Sequence, residues 1–153
     1  MPYFHCSSTM LEPGAVILPG NWGRIVRLTG WPYNQAFREA VFEYVRDQEF
    51  AQKPSRLDSL FFFDDEYEAR FYATSDARQA TMLPYEIELL DAQAPKHFAD
   101  WRNLQPQTPL VDRNRVRDHW SGQMLPLHRI DDNATAAFRE VIAVTPARII
   151  RRI

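Results

Sequence analysis

The stretch Tyr3-Phe4-His5-Cys6-Ser7-Ser8, followed by Glu12-Pro13-Gly14, Ala15-Val16-Ile17-Leu18 and Pro19-Gly20, decides how the rest of the chain is read. An apolar run, a Pro-Gly turn, and a second apolar run stopped by another Pro-Gly pair mark two short strands. Side chains on a strand alternate faces, so His5 and Ser7 point the same way and offer an imidazole and a hydroxyl to a diol or amide. A plainer arrangement uses the same residues: His5 half buried at a sheet edge, with Ser7 and Ser8 forming the next turn.

Further elements follow outward from this start. Asn21-Trp22-Gly23-Arg24 and the breakers at Gly30 and Pro32 read as connection, and Asn34 as the N-cap of a helix reaching Phe50 with Phe37, Val41, Tyr44 and Val45 at helical spacing. Leu60-Phe61-Phe62-Phe63 is short and aromatic enough for a buried strand, on which Phe61 and Phe63 share one face and Leu60 and Phe62 the other. Asp64-Asp65-Glu66 suits the start of a helix running to Ala73, because carboxylates there complement the dipole. From Leu83 to Leu90, the order Pro84-Tyr85-Glu86-Ile87-Glu88-Leu89 alternates apolar and charged residues as a half-exposed strand does. Thr108 and Pro109 predict the cap and first turn of a helix carrying Leu110, Val111, Val116 and Trp120, ended by Gly122. Two closing strands, Phe138 to Val144 and Ala147 to Ile153, flank Thr145-Pro146. No βαβ rhythm or GxGxxG loop is present, so the expectation is an α+β fold with mostly antiparallel sheets.

A chain of 153 residues, 45% hydrophobic and 25% charged, predicts one globular domain spanning residues 1–153 and excludes a disordered or fibrous class. The single cysteine, Cys6, excludes an internal disulfide and a cysteine-based zinc cluster, and the four histidines lack metal-ligand spacing, so no metal is expected. The absence of a long apolar run or a basic-then-apolar leader predicts a cytoplasmic protein with no membrane partner. Residues 1–100 carry a net charge of −6 and residues 101–153 one of +4, and sixteen of the eighteen basic residues are arginine. Arginine suits bidentate contacts to phosphate or carboxylate, although a pI near 6.1 argues against a dedicated nucleic-acid binder.

The opening Tyr3-Phe4-His5-Cys6-Ser7-Ser8 with Leu11-Glu12-Pro13-Gly14 resembles the first block of NAD-dependent ADP-ribosyltransferases, nearest to the rifampin ADP-ribosyltransferase type. Ser59-Leu60-Phe61-Phe62-Phe63 with Ala69 is similar to that family's second block. Tyr85-Glu86-Ile87-Glu88, and Glu140-Val141-Ile142-Ala143 with Ile149-Ile150, resemble its later strands in the same order. The resemblance covers about two thirds of the chain and implies small split antiparallel sheets, flanked by a few helices, that grip NAD between them.

The resemblance also implies roles. His5 contacts the adenine-side ribose with Ser7 assisting, Cys6 lies against the nicotinamide amide, and Phe61, or else Phe62, stacks on the nicotinamide ring where the family usually has tyrosine. A carboxylate must support charge build-up when the glycosidic bond breaks. Asp100 is the first choice, read as a loop residue after the Tyr85 strand. Gln123 occupies a loop where a glutamate would fit the wider family but supplies no charge, and Trp120-Ser121-Gly122 also reads as a plain helix end. Arg24 and Arg56 are candidates for the pyrophosphate, against surface roles for both. The implied function is transfer of ADP-ribose from NAD to a protein, nucleic acid or small molecule, in a toxin or defence setting. The alternatives are RNA 2′-phosphotransfer, NAD hydrolysis, or a catalytically silent nucleotide- or protein-binding module on the same fold.

Overall fold

The computed structural model describes residues 1–29, 33–74, 82–104, 112–126, 128–129, 135–136 and 138–153. Along the chain run β1 (Tyr3–Ser7), β2 (Val16–Ile17), α1 (Asn21–Thr29), α2 (Tyr33–Glu49), β3 (Leu60–Phe62), α3 (Glu66–Thr74), β4 (Leu83–Leu89), β5 (Lys96–Asp100), α4 (Arg113–Ser121), β6 (His128–Arg129), β7 (Thr135–Ala136), β8 (Arg139–Ala143) and β9 (Ala147–Arg152). Two 3-10 turns, Arg56–Asp58 and Trp101–Leu104, precede β3 and follow β5. Among the described residues no helix is long and apolar enough to cross a membrane.

The architecture is α+β with antiparallel sheets. One sheet has the order β1-β4-β9-β2, a second β3-β8-β5, and β6 pairs with β7. Apolar side chains from the facing sides of the two larger sheets, Leu60, Phe62, Val141 and Ala143 against Tyr85, Ile87, Leu89, Ala147 and Ile149, make the core between them. The opposite side of the β3-β8-β5 sheet packs Phe61 and Ile142 against Phe42 and Val45 of α2 and Val116 and Trp120 of α4. Alternation on β4 turns Glu86 and Glu88 away from the core, where they pair with Arg151 and Arg148 of β9. Pro84 faces Cys6 of β1 and accepts the N–H of Ile153, just past the end of β9, so its missing N–H costs the ladder at most one bond at the end of that pairing.

Four expectations need correction. Asn21-Trp22-Gly23-Arg24 opens helix α1 and is not a connection. Gly23 is required by contact: a Cβ there would stand 1.8 Å from the Leu57 carbonyl oxygen, so only glycine lets α1 lie against the Arg56–Asp58 turn. Asn34 is not the cap of α2, which already begins at Tyr33. The inward face of α2 is also rotated from the expected stripe: Phe37 and Tyr44 are exposed, while Arg38, Glu39, Phe42 and Val45 are buried. Finally, Lys96–Asp100 is a strand paired along its length with β8, so Asp100 ends β5 and does not lie in a loop.

Thr108, Pro109, Leu110 and Val111 lie outside the described residues. The helix that follows starts at Arg113, with the Asp112 carboxylate accepting the N–H of Asn114, and ends as expected at Gly122, whose φ of 78° is left-handed. Val116 and Trp120 are fully buried on it.

Candidate functional site

Among the described residues, the two larger sheets are joined by backbone hydrogen bonds at one rung. Phe4 of β1 and Phe63, just after β3, exchange backbone hydrogen bonds at 2.9 and 2.7 Å in an isolated bridge. Beyond that rung the strands part, and the His5 ring spans the gap: Nδ1 lies 2.8 Å from the Phe61 carbonyl oxygen. A carbonyl only accepts, so Nδ1–H donates, and Nε2 of the neutral ring keeps its lone pair. Burial lowers the His5 pKa, opposed by that same hydrogen bond, so the ring is neutral at pH 7.

Alternation along β1 puts the N–H and C=O of Cys6 on the same edge as those of Phe4, toward the gap and away from β4. The backbone there is a donor and acceptor side by side, matching a carboxamide. The Cys6 thiol itself is inert: Sγ donates to the Ala69 carbonyl at 3.3 Å, and burial pushes its pKa up to about 12.

Across the gap, Arg56 is the hub. The turn that carries it is fixed by Ser55, whose Oγ accepts the N–H of Leu57, and by Ser59, whose Oγ donates to the Ser55 carbonyl at 2.6 Å. The guanidinium lies 4.7 Å from the centroid of the Phe61 ring, a cation–π contact. It donates to Glu39 at 3.0 Å through Nε and to Glu140 at 2.5 Å through Nη1. Arg38 adds a second cation, 3.0 Å from Glu39. Two arginines and two glutamates thus balance in a space nearly closed to water. The Glu39 carboxyl feels burial, which opposes ionisation, but the two arginines outweigh it and lower its pKa. For Glu140, burial wins over Arg56 and raises the pKa. Its side chain keeps 9% of its surface open. Tyr72 of α3 completes the group: burial and the nearby Glu140 push its phenol up to about 12, and its ring packs on Phe63 and Trp101.

His5, Cys6, Phe61 and Arg56 are therefore brought together, and the side chains or backbone groups of the others are engaged elsewhere. Phe62 is wholly buried between the sheets with its ring against Tyr3. Ser7 Oγ accepts the N–H of Thr9. Arg24 is exposed on α1 and donates to Asn21. Asp100 is fully buried, and its carboxylate accepts from Arg102 at 2.6 Å and from the N–H of Leu125 at 3.0 Å. Gln123 is exposed after α4, and its carbonyl accepts from Asn103.

A family model for a protein of unknown function, DUF2441, matches residues 18–131, three quarters of the chain. The chain belongs to that family. The DUF2441 match takes in Arg24, Arg56, Phe61, Phe62, Asp100 and Gln123, while β1 and Glu140 fall outside it. No curated protein matches the chain.

Glu39, Tyr72 and Glu140 were missed by sequence reasoning. Glu140 carried a usable signal: it shares a strand face with Ile142, and a carboxylate on an apolar face is rare unless partnered. Tyr72 and Glu39 sit in helical stretches whose burial depends on tertiary contact, and nothing local marks them.

Proposed function

We propose that this DUF2441 protein is an ADP-ribosyltransferase that binds NAD in the gap between β1 and β3, with Glu140 as the carboxylate at the reacting centre. The observation that carries this reading is the convergence at one strand parting of a neutral imidazole, the backbone edge of Cys6, an aromatic ring and a buried glutamate.

In this reading Nε2 of His5 accepts a hydrogen bond from a ribose hydroxyl, and Cys6 N–H and C=O hold the nicotinamide carboxamide. Phe61 or Tyr72 lies against the pyridinium ring. The bond between the ring nitrogen and ribose C1′ breaks with its electron pair going to nicotinamide, and Glu140 stabilises the cation left on the sugar. The acceptor nucleophile then bonds to C1′ and gives up its proton. Glu140 replaces Asp100 in this role because the Asp100 carboxylate is taken by Arg102 and the Leu125 amide, and it replaces Gln123 because an amide carries no charge.

One observation favours a second reading: Arg56 already neutralises Glu140, as in a catalytically silent nucleotide-binding module. Incubation with NAD labelled in the adenosine and in the nicotinamide, alone and with lysate, separates the two. Nicotinamide release with label transfer supports the transferase, and release without transfer indicates hydrolysis. Neither, with NAD still raising the melting temperature, indicates the binding module.

A further inference from the structure

We propose that Glu39 of α2 is a positioning residue for the gap: by gripping Arg56 it fixes where that guanidinium meets Glu140 and how much of its positive charge remains to neutralise Glu140. The inference deepens the reading above and rests on it for its link to turnover. The geometry is a relay. Arg38 donates to Glu39 Oε1 at 3.0 Å, Arg56 Nε donates to Glu39 Oε2 at 3.0 Å, and Arg56 Nη1 reaches Glu140 Oε1. Glu39 is 1% exposed and reaches neither the Phe61 ring contact nor the Glu140 ion pair except through Arg56. Oε2 of Glu39 accepts from Arg56 Nε, and Oε1 accepts from Arg38 and, at 3.4 Å, from Arg56 Nη2, so Arg56 is shared between the Glu39 and Glu140 carboxylates.

The charged and titratable groups around Glu140 are Arg56 from the 3-10 turn, Arg38 and Glu39 from α2 and Tyr72 from α3, with Cys6 of β1 beside Tyr72 and neutral His119 of α4 beside the arginines. Glu39 opposes ionisation of Glu140, and Arg56 promotes it. Removing each charge must therefore move Glu140 in opposite directions. In Glu39→Gln its titration midpoint falls by about one pH unit. In Arg56→Gln it rises by about one unit or more, because a buried carboxyl without its cation stays protonated.

The experiment is a carbon-13 carboxyl NMR titration of Glu140 in the wild type and both variants, with the pH profile of nicotinamide release measured beside it. The expected result is midpoint shifts of opposite sign, an acid limb of the rate profile that moves with each, and turnover of Glu39→Gln reduced about tenfold at unchanged KM. If Glu39→Gln is too unstable to titrate, Glu39→Asp takes its place with a smaller shift of the same sign as Glu39→Gln, and Arg56→Lys takes the place of Arg56→Gln with a smaller shift of the same sign as Arg56→Gln. Shifts of the same sign, or no shift in folded protein, overturn the inference even if NAD is cleaved. Opposite shifts in a protein that never releases nicotinamide uphold the relay and reject the transferase.

Discussion

Two buried polar clusters sit on the same face of the β3-β8-β5 sheet, and they are built on opposite plans. Beside β3, Arg38, Glu39, Arg56 and Glu140 are charged and joined in a chain of ion pairs. Beside β5, His97, His119 and Trp120 form a neutral aromatic knot: the His97 and Trp120 rings stack at 5.5 Å, and His119 packs edge-on against Phe42. Nε2 of His97 donates to the His119 carbonyl at 2.8 Å, while neither ring nitrogen of His119 has a hydrogen-bond partner among the described residues. Both clusters rest on α2, through Glu39 and through Phe42, whose carbonyl accepts from the Trp120 indole at 2.9 Å. On this face the sheet gathers its charge beside β3, next to the β1 gap, and its neutral rings beside β5 and α4, so the difference shows where on the face electrostatics and where plain packing dominate.

The comparison breaks most readily at Arg56. Arg56→Ala leaves two buried carboxylates without their shared cation and is expected to cost about 3–5 kcal/mol in a urea unfolding curve. A cost near zero would mean that the cluster is open to water.

Next is the assignment of the carboxylate. Glu140→Gln lowers nicotinamide release by about a hundredfold or more with the fold intact by circular dichroism. Asp100→Asn instead leaves the rate per folded molecule unchanged and lowers stability by about 1–3 kcal/mol, because its carboxylate ties Arg102 and Leu125 together. The reverse pattern returns the role to Asp100.

The neutral cluster makes its own prediction about acid. Burial lowers the pKa of His97 to about 4 and takes that of His119 well below its usual value. Below pH 6.5 the unfolded chain takes up protons that these rings refuse in the fold, so stability falls with pH and the His97 contribution levels off near pH 4. Each such histidine adds a slope approaching about 1.4 kcal/mol per pH unit in that window, and His119→Phe should remove one share of it. An unchanged slope in the variant would show that the ring is protonated in the folded protein. The smallest effect expected is at Ser7, where Ser7→Ala changes stability by no more than about 0.5 kcal/mol and leaves NAD affinity as it was.

The strands that frame the gap were legible because their patterns are local. The Pro-Gly punctuation around β2, the aromatic run of β3 and the alternation of β4 each follow from side-chain period. Strand β5 was not legible for a physical reason: its inward positions are His97 and Ala99 and its outward one is Phe98, so the hydrophobic alternation runs opposite to the burial. Helix α1 was hidden by Gly23, which lowers helix propensity in exchange for close contact with Leu57. The buried face of α2 was misread because two of its positions are Arg38 and Glu39, charges that become core residues only when Arg56 arrives from another segment. On β1, His5 and Cys6 were legible as candidates, whereas Glu140 on β8 becomes a candidate only through register, since β8 pairs with both β3 and β5.

The central claim is that the parting of β1 and β3 receives the nicotinamide half of NAD. The most direct measurement is a nitrogen-15 NMR titration of the wild-type protein with NAD and with nicotinamide alone, following the Cys6 amide and the His5 ring nitrogens. The account predicts saturable shifts of the Cys6 amide with both ligands and of His5 Nε2 with NAD. Saturable shifts confined to residues away from β1 and β3, or no shift with either ligand, would contradict it.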